Sequence, residues 1–443
     1  METLKSGVDL VNQDHVNYVL GKLVDQPNSL ETSRKLVNLL KEKKLSNETS
    51  YNYLFHSLFS SELPSNEIYK QYQQIMAEIK ANNVKLGSNT YSTIIHGLSL
   101  NGYVDDALNL AVESEENKII PSKRAFDSLL FSLFDDRKVT KGLQLYEKLK
   151  ANSQVDINTI NFVLNGLTKS KKDRTAEFQA VEKDIEALKL SKNSGTLATQ
   201  ILFYKNDKQK VAELAKNQAG TDPLVLSAAL SAHAIHSDRE TILQIFDKFE
   251  EPGLWPNLPS NFAIEEALQR LSDIGDSQAV AIIIATVEVL QPPTLKMYTI
   301  AAECFFKTQQ LDFLATLIEN LSKSGQTPSL EFFHIMLNFA IYSNNFAEAT
   351  ELLTTMKSVG VQPTAETYYK LIVALSEKGS GEDLEQAGNL LEQMKKDAIT
   401  PAAESYVALL VSSMKSRDYK RAAPLLKHFS NMNHSTGISA DEE

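Results

Sequence analysis

The chain has 443 residues, 42% hydrophobic and 23% charged, with 56 acidic against 45 basic side chains and a net charge of −11. One cysteine, Cys304, excludes an internal disulfide and any multi-cysteine zinc or iron–sulfur centre, and no run of 18 apolar residues offers a membrane span. Such acidity lowers the expectation of nucleic-acid binding without forbidding it, since one basic face would suffice.

Residues 1–12 form a short lead-in, and the opening "METLKSGVDLVNQD" lacks the arginine-rich, acid-poor character of an organelle leader. A 35-residue period then begins: Val16 to Tyr51, Tyr91 to Phe126, Tyr298 to Phe333 and Phe333 to Tyr368 are each 35 apart. Tyr368 to Tyr406 is 38, the surplus falling at "KGSGED". Fixed-period self-similarity of this length is the signature of a solenoid, so the expected class is all-α. Twelve units are expected: 13–47, 48–87, 88–122, 123–156, 157–192, 193–222, 223–257, 258–294, 295–329, 330–364, 365–402 and 403–437.

In chain order, the second unit carries an insertion, "SSELPSN" (60–66), expected as an exposed loop. Units 157–222 are degenerate. They hold the lysine-rich runs "TKSKKDR" (168–174) and "YKNDKQK" (204–210), which read as solvated turn charge or as phosphate contacts, and "FQAVEKDIEALKL", a candidate longer helix. His233 and His236 are spaced i,i+3 but have no apparent third metal ligand. Trp255 reads as an anchor between repeats, unit 258–294 is again degenerate, and Cys304 in "AAECFF" reads as a small buried apolar residue. Unit 330–364 is the clearest. Phe333, Ile335, Met336 and Phe339 form a helical stripe, "YSNN" breaks it, and "FAEATELLTTMKSVG" gives a second amphipathic helix ending at Gly360, a left-handed cap. Pro363 then blocks continuation. Residues 377–383 ("EKGSGED") are expected as a second exposed loop, and 438–443 as a disordered acidic tail.

The stretches "SYNYLFHSLF" (50–59), "NTYSTIIHGLSLNGYVDDALNL" (89–110), "FAEATELLTTMKSVGVQPT" (346–364) and "LEQAGNLLEQMKKDAITPA" (384–402) resemble the pentatricopeptide repeat family over nearly the whole chain. The resemblance implies a right-handed α-solenoid superhelix of helix-turn-helix hairpins. It also implies an organelle protein, usually mitochondrial or plastid, that binds single-stranded RNA one base per repeat, with no cofactor, no small-molecule substrate and no membrane insertion.

In that family the fifth and last residues of a unit bond the base edge, and the second packs on base faces. Carried over, the pairs are Asn17 with Asn47, Asn52 with Gly87, Ser92 with Ser122, Asp127 with Asp156, Ser227 with Asn257, Thr299 with Ser329, His334 with Thr364 and Tyr369 with Ala402. Asn161 is the fifth residue of the degenerate unit 157–192. Second positions depart from the family's aliphatic pattern, with Leu224 the exception; Asp14, Glu331, Glu366 and Glu404 place carboxylates where bases would stack.

Two function classes follow. One is non-catalytic RNA binding in organelle RNA metabolism or translation. The other is a scaffold that docks proteins within a mitochondrial ribosome, respiratory or ATP synthase assembly. No P-loop, H-E-x-x-H or G-x-S-x-G motif suggests an enzyme, and the repeats leave no room for an added catalytic domain.

Overall fold

The computed structural model describes residues 12–24, 26, 29–216, 222–247 and 259–435, and these are helical hairpins throughout, with no strand among them. Trp255, Asn257 and the acidic tail lie outside the described residues. The chain divides into two compact units, 1–203 and 204–443.

The first carries α1 (Gln13–Leu23), α2 (Leu30–Glu42), α3 (Glu48–Phe59), α4 (Ser65–Ala81), α5 (Ser88–Leu100), α6 (Val104–Glu116), α7 (Lys123–Asp135), α8 (Val139–Ala151), α9 (Ile157–Thr168), α10 (Thr175–Ala187) and α11 (Ser194–Phe203). The second carries α12 (Lys208–Lys216), α13 (Pro223–Ile235), α14 (Arg239–Asp247), α15 (Asn261–Asp273), α16 (Ser277–Leu290), α17 (Leu295–Lys307), α18 (Leu311–Ser324), α19 (Leu330–Tyr342), α20 (Phe346–Ser358), α21 (Ala365–Lys378), α22 (Gly381–Lys396), α23 (Ala403–Lys415) and α24 (Tyr419–Ser435). Odd-numbered helices open the repeats. Within each unit they stack on one another, α3 on α5 and α5 on α7 in the first, α13 on α15 and α15 on α17 in the second. No described helix is long and apolar enough to cross a membrane.

The period follows from what the fourth residue of each repeat does. Tyr51, Tyr91, Phe126, Tyr298, Phe333, Tyr368 and Tyr406 are all buried. Their rings fill the space between helices, while a buried tyrosine hydroxyl still needs a partner. Tyr91 Oη donates to Glu113 at 2.8 Å, Asn82 Nδ2 donates to Tyr51 Oη at 3.2 Å, and Tyr368 Oη donates to Asp397. Each partner lies at or just beyond the end of the same repeat's second helix, so the aromatic ties the hairpin shut.

Helix starts are set by the residue before them. Asn47, Ser122, Asp156, Ser329 and Thr364 each accept the backbone N–H three residues on, satisfying a donor the helix leaves unpaired. The same rule shifts two expected repeat edges. Asn193 caps α11 by accepting the Thr196 N–H at 3.0 Å, so that repeat starts at 194. Ser260 caps α15, so the eighth starts at Asn261, three residues past the expected 258.

Both insertions shorten as loops because helix absorbs them. Ser65 and Asn66 already belong to α4, which runs 17 residues. Of 377–383, only Gly379 and Ser380 lie outside helix: Gly379 closes α21 at φ 74° and Ser380 caps α22 with Glu382 and Asp383 in its first turn. Acidic residues there favour the helix N-terminus, which is why the polar run became helix. The candidate longer helix is α10, an ordinary 13 residues. Gly360 is left-handed, at φ 84°.

Two glycines are demanded by a neighbour's ring. A Cβ on Gly97 would lie 2.2 Å from Phe59, and one on Gly166 2.2 Å from Phe134. Each pair joins the twelfth residue of one repeat to the tenth of the next. Gly166→Ala is expected to destabilise the protein by about 1–3 kcal/mol through overpacking. Equilibrium denaturation would show it, and pairing the change with Phe134→Leu should recover part of the loss.

Candidate nucleic-acid interface

The sequence-expected residues fall on the N-terminal halves of the odd helices and on the caps that precede them. In the first unit, Asn17 Nδ2 donates to Asn47 Oδ1 at 3.4 Å, the Ser122 N–H donates to Ser92 Oγ at 2.7 Å, and Asn161 Nδ2 donates to Asn193 Oδ1 at 2.9 Å. Lys123 bridges Asp127 and Asp156. Asn52 has only Gly87 as its cap, and its Oδ1 accepts from Thr93 Oγ1 at 2.8 Å.

In the second unit the Ser260 N–H donates to Ser227 Oγ at 2.8 Å, while Asn257, the residue expected to pair with Ser227, lies outside the described residues. The shifted edge also brings Glu265 to a fifth position, where it accepts from Thr294 Oγ1 at 2.7 Å and pairs with Lys296 at 3.1 Å. Thr299 Oγ1 turns back to the Leu295 carbonyl at 2.9 Å, with no bond to Ser329. Tyr369 and Ala402 are both exposed.

Sequence reasoning missed a third participant. The hydroxyl at the third position of the following repeat grips the fifth residue: Ser50 Oγ donates to Asn17 Oδ1 (2.8 Å), Thr159 Oγ1 to Asp127 Oδ1 (2.9 Å) and Thr196 Oγ1 to Asn161 Oδ1 (2.7 Å). Thr367 Oγ1 lies 2.9 Å from His334 Nε2. These hydroxyls are buried and also belong to the capping turn, so "cap, two residues, Ser/Thr" was the available signal. The consequence is orientation. With Asn161 fixed by Thr196 and Asn193, its amide retains one N–H and one lone pair for an incoming partner.

Second positions are exposed in most repeats, and the shifted edge changes one of them. Phe262 now occupies that place, 70% exposed, one repeat after Leu224, 53% exposed. Ser227 and Ser260 sit between them in sequence, so repeats seven and eight offer two apolar faces around one polar pair. Repeats ten to twelve offer instead Glu331, Glu366 and Glu404, all exposed. Its own backbone N–H and the Ser329 hydroxyl hold the Glu331 carboxyl below the usual range, which keeps it ionised.

Burial depresses the imidazoles of His96, His233 and His334 below the usual 6.5. The unfolded chain therefore takes up protons first as pH falls. Stability is expected to be full above about 6.5 and to decline from there toward the depressed folded values, readable as a falling denaturation midpoint between pH 7 and 5. His233 lies 3.4 Å from Asp238, whereas His236 Nε2 bonds the Lys205 carbonyl, so the two imidazoles serve different partners. Cys304 is buried, which pushes its thiol up.

Two family models match the chain: "Pentacotripeptide-repeat region of PRORP" over residues 30–175 and "Pentatricopeptide repeat-containing protein" over 303–429, together more than half of its length. The chain is a pentatricopeptide repeat protein. No curated protein matches it in sequence. Among solved structures, this pentatricopeptide repeat protein is similar to the pentatricopeptide repeat protein PPR10 from maize, at 15% identity and a TM-score of 0.45, over 96% of this chain and 69% of that one. It is also similar to PPR10 in complex with an 18-nt psaJ RNA element (16%, 0.38, 94% and 74%) and to yeast Rmd9p in complex with 16nt target RNA (12%, 0.39, 88% and 98%).

Proposed function

We propose that the protein binds single-stranded RNA, without catalysis, on the face formed by the fifth residues and caps of its repeats, and that it serves RNA metabolism or translation in an organelle such as the mitochondrion. What supports this reading is a polar fifth side chain held by a buried hydroxyl of the next repeat at Asn17, Asp127, Asn161 and His334, with hydrogen-bonding capacity left over at Asn161. Single-stranded RNA is read through such base-edge contacts with stacking alongside. Membership of the family agrees with it. The strongest candidates are Asn17 with Asn47, Asn52, Ser92 with Ser122, and Asn161 with Asn193 in the first unit, and Ser227 with Ser260 in the second; Thr299 and Ser329 contribute as separate hydroxyls. The exposed glutamates of repeats ten to twelve repel phosphate, which puts the RNA on the earlier repeats.

Selection of a randomised single-stranded RNA pool by the purified full chain tests this. The expected result is a short enriched sequence element. Absence of binding at 50 mM salt, together with a set of proteins that co-purifies from an organelle extract after RNase, would overturn it in favour of a scaffold.

A further inference from the structure

The lysine run at 168–174, taken alone, is turn charge. The fold brings it against a second turn, 30-odd residues earlier, and makes a cleft. Between the inter-helix turns of repeats four and five lies a cavity of about 580 Å³. Arg137, Lys138 and Lys141 line it from one turn, and Lys169, Lys171, Lys172 and Arg174 from the other, against a single lining carboxylate, Asp135. Its floor is built: the Phe134 ring is seated on Gly166 and Gly142, which also fixes the spacing of the two turns.

Part of this charge is already matched. Lys138 and Lys141 share Asp105 at 2.7 and 2.9 Å, Lys138 also meets Asp136, and Arg174 meets Glu177 at 2.7 Å. Lys169 is 3.8 Å from Asp135. Arg137, Lys171 and Lys172 form no ion pair among the described residues and are exposed. The Arg174 Nε is buried with no hydrogen-bond partner. A chain of net charge −11 that gathers seven cations in one cleft and leaves three unmatched is suited to an anionic ligand.

We propose that this cleft holds phosphates of the RNA strand without regard to base. The inference rests on the RNA-binding reading above and adds to it a site off the fifth-residue row. Asp135 is eight residues beyond the fifth residue Asp127 on α7, about 12 Å along the helix at 1.5 Å per residue. The cleft therefore lies off the row, at the C-terminal ends of the same first helices and on the turns that follow them. Neighbouring helices pack about 8–10 Å apart, so the two turns meet successive phosphates of a strand laid along the stack. The contacts are charge without a shaped base pocket, which contributes affinity and salt dependence but no sequence preference.

The test uses the full chain with Arg137→Ser, Lys171→Ser and Lys172→Ser combined, titrated with the selected RNA and with a scrambled RNA from 50 to 200 mM salt. Three lost phosphate contacts at about −0.7 each should flatten the slope of log K against log salt by roughly 2, and affinity should fall equally for both RNAs. A charge-preserving triple, Arg137→Lys, Lys171→Arg and Lys172→Arg, should restore the slope. An unchanged slope while wild type still binds RNA overturns the cleft and leaves the RNA reading intact. A loss confined to the selected RNA, or stronger competition by a phosphoserine peptide than by scrambled RNA, also overturns it. No RNA binding by wild type at 50 mM salt overturns both.

Discussion

Tyr368→Ala is expected to lower stability by about 3–5 kcal/mol, the usual cost of deleting a buried aromatic ring. Tyr368 is fully buried in the core of the second unit with Leu371, Ile372 and Leu353. Its hydroxyl donates to Asp397, which also takes an ion pair from Lys357. Tyr368→Phe keeps the ring and loses only the hydrogen bond, for about 1 kcal/mol. The contrast between the two variants is the informative quantity. Because a repeat contacts mainly its neighbours, hydrogen exchange should rise in α19 to α24 and stay level in the first unit. Equal losses for alanine and phenylalanine would contradict a packing role for the ring.

Phe262→Ala and Leu224→Ala are expected to affect RNA binding rather than folding. Both side chains are mostly exposed, so stability should change little. Stacking of a base on an aromatic residue contributes about 1–3 kcal/mol, so Phe262→Ala should weaken RNA binding roughly 5- to 150-fold, with a smaller loss for Leu224→Ala. Unchanged affinity in a protein that binds RNA would remove repeats seven and eight from the interface. Glu366→Leu provides the converse: deleting a carboxylate at the same place in repeat eleven should strengthen binding or leave it unchanged.

Much of this was legible before any coordinates. The 35-residue spacing of Tyr91, Phe126, Tyr298, Phe333 and Tyr368 marked the hairpins because a buried ring at one place per repeat leaves a periodic trace. The start of the eighth repeat was misplaced although its signal was present: Pro259-Ser260 repeats the pattern of Pro121-Ser122, Pro328-Ser329 and Pro363-Thr364, a proline followed by a cap. The missing aromatic at the fourth place, where Ile264 stands, hid it. The first insertion is loop over 60–64 as expected, whereas the second was misjudged for a different reason. Polar, glycine-containing "EKGSGED" looks like loop by composition, yet one left-handed glycine and one serine cap suffice to join two helices. The third-position hydroxyls and the basic cleft were the least accessible, since both depend on residues from successive repeats meeting in space.

The Phe59–Gly97 and Phe134–Gly166 contacts carry a consequence for treating such a chain as interchangeable modules. In repeats two and four the phenylalanine near the end of the first helix lies where any side chain at the tenth place of the successor would go, so these two repeats need glycine there. Phe306 at the same place of repeat nine is followed by Phe339, so the demand comes from how the ring is seated. Moving repeat two in front of repeat four would set Phe59 against Ser132, and repeat five behind repeat two would be accepted. Repeats two and four thus specify who follows them, and the order of the array is written partly in steric syntax rather than wholly in the sequence of any one module.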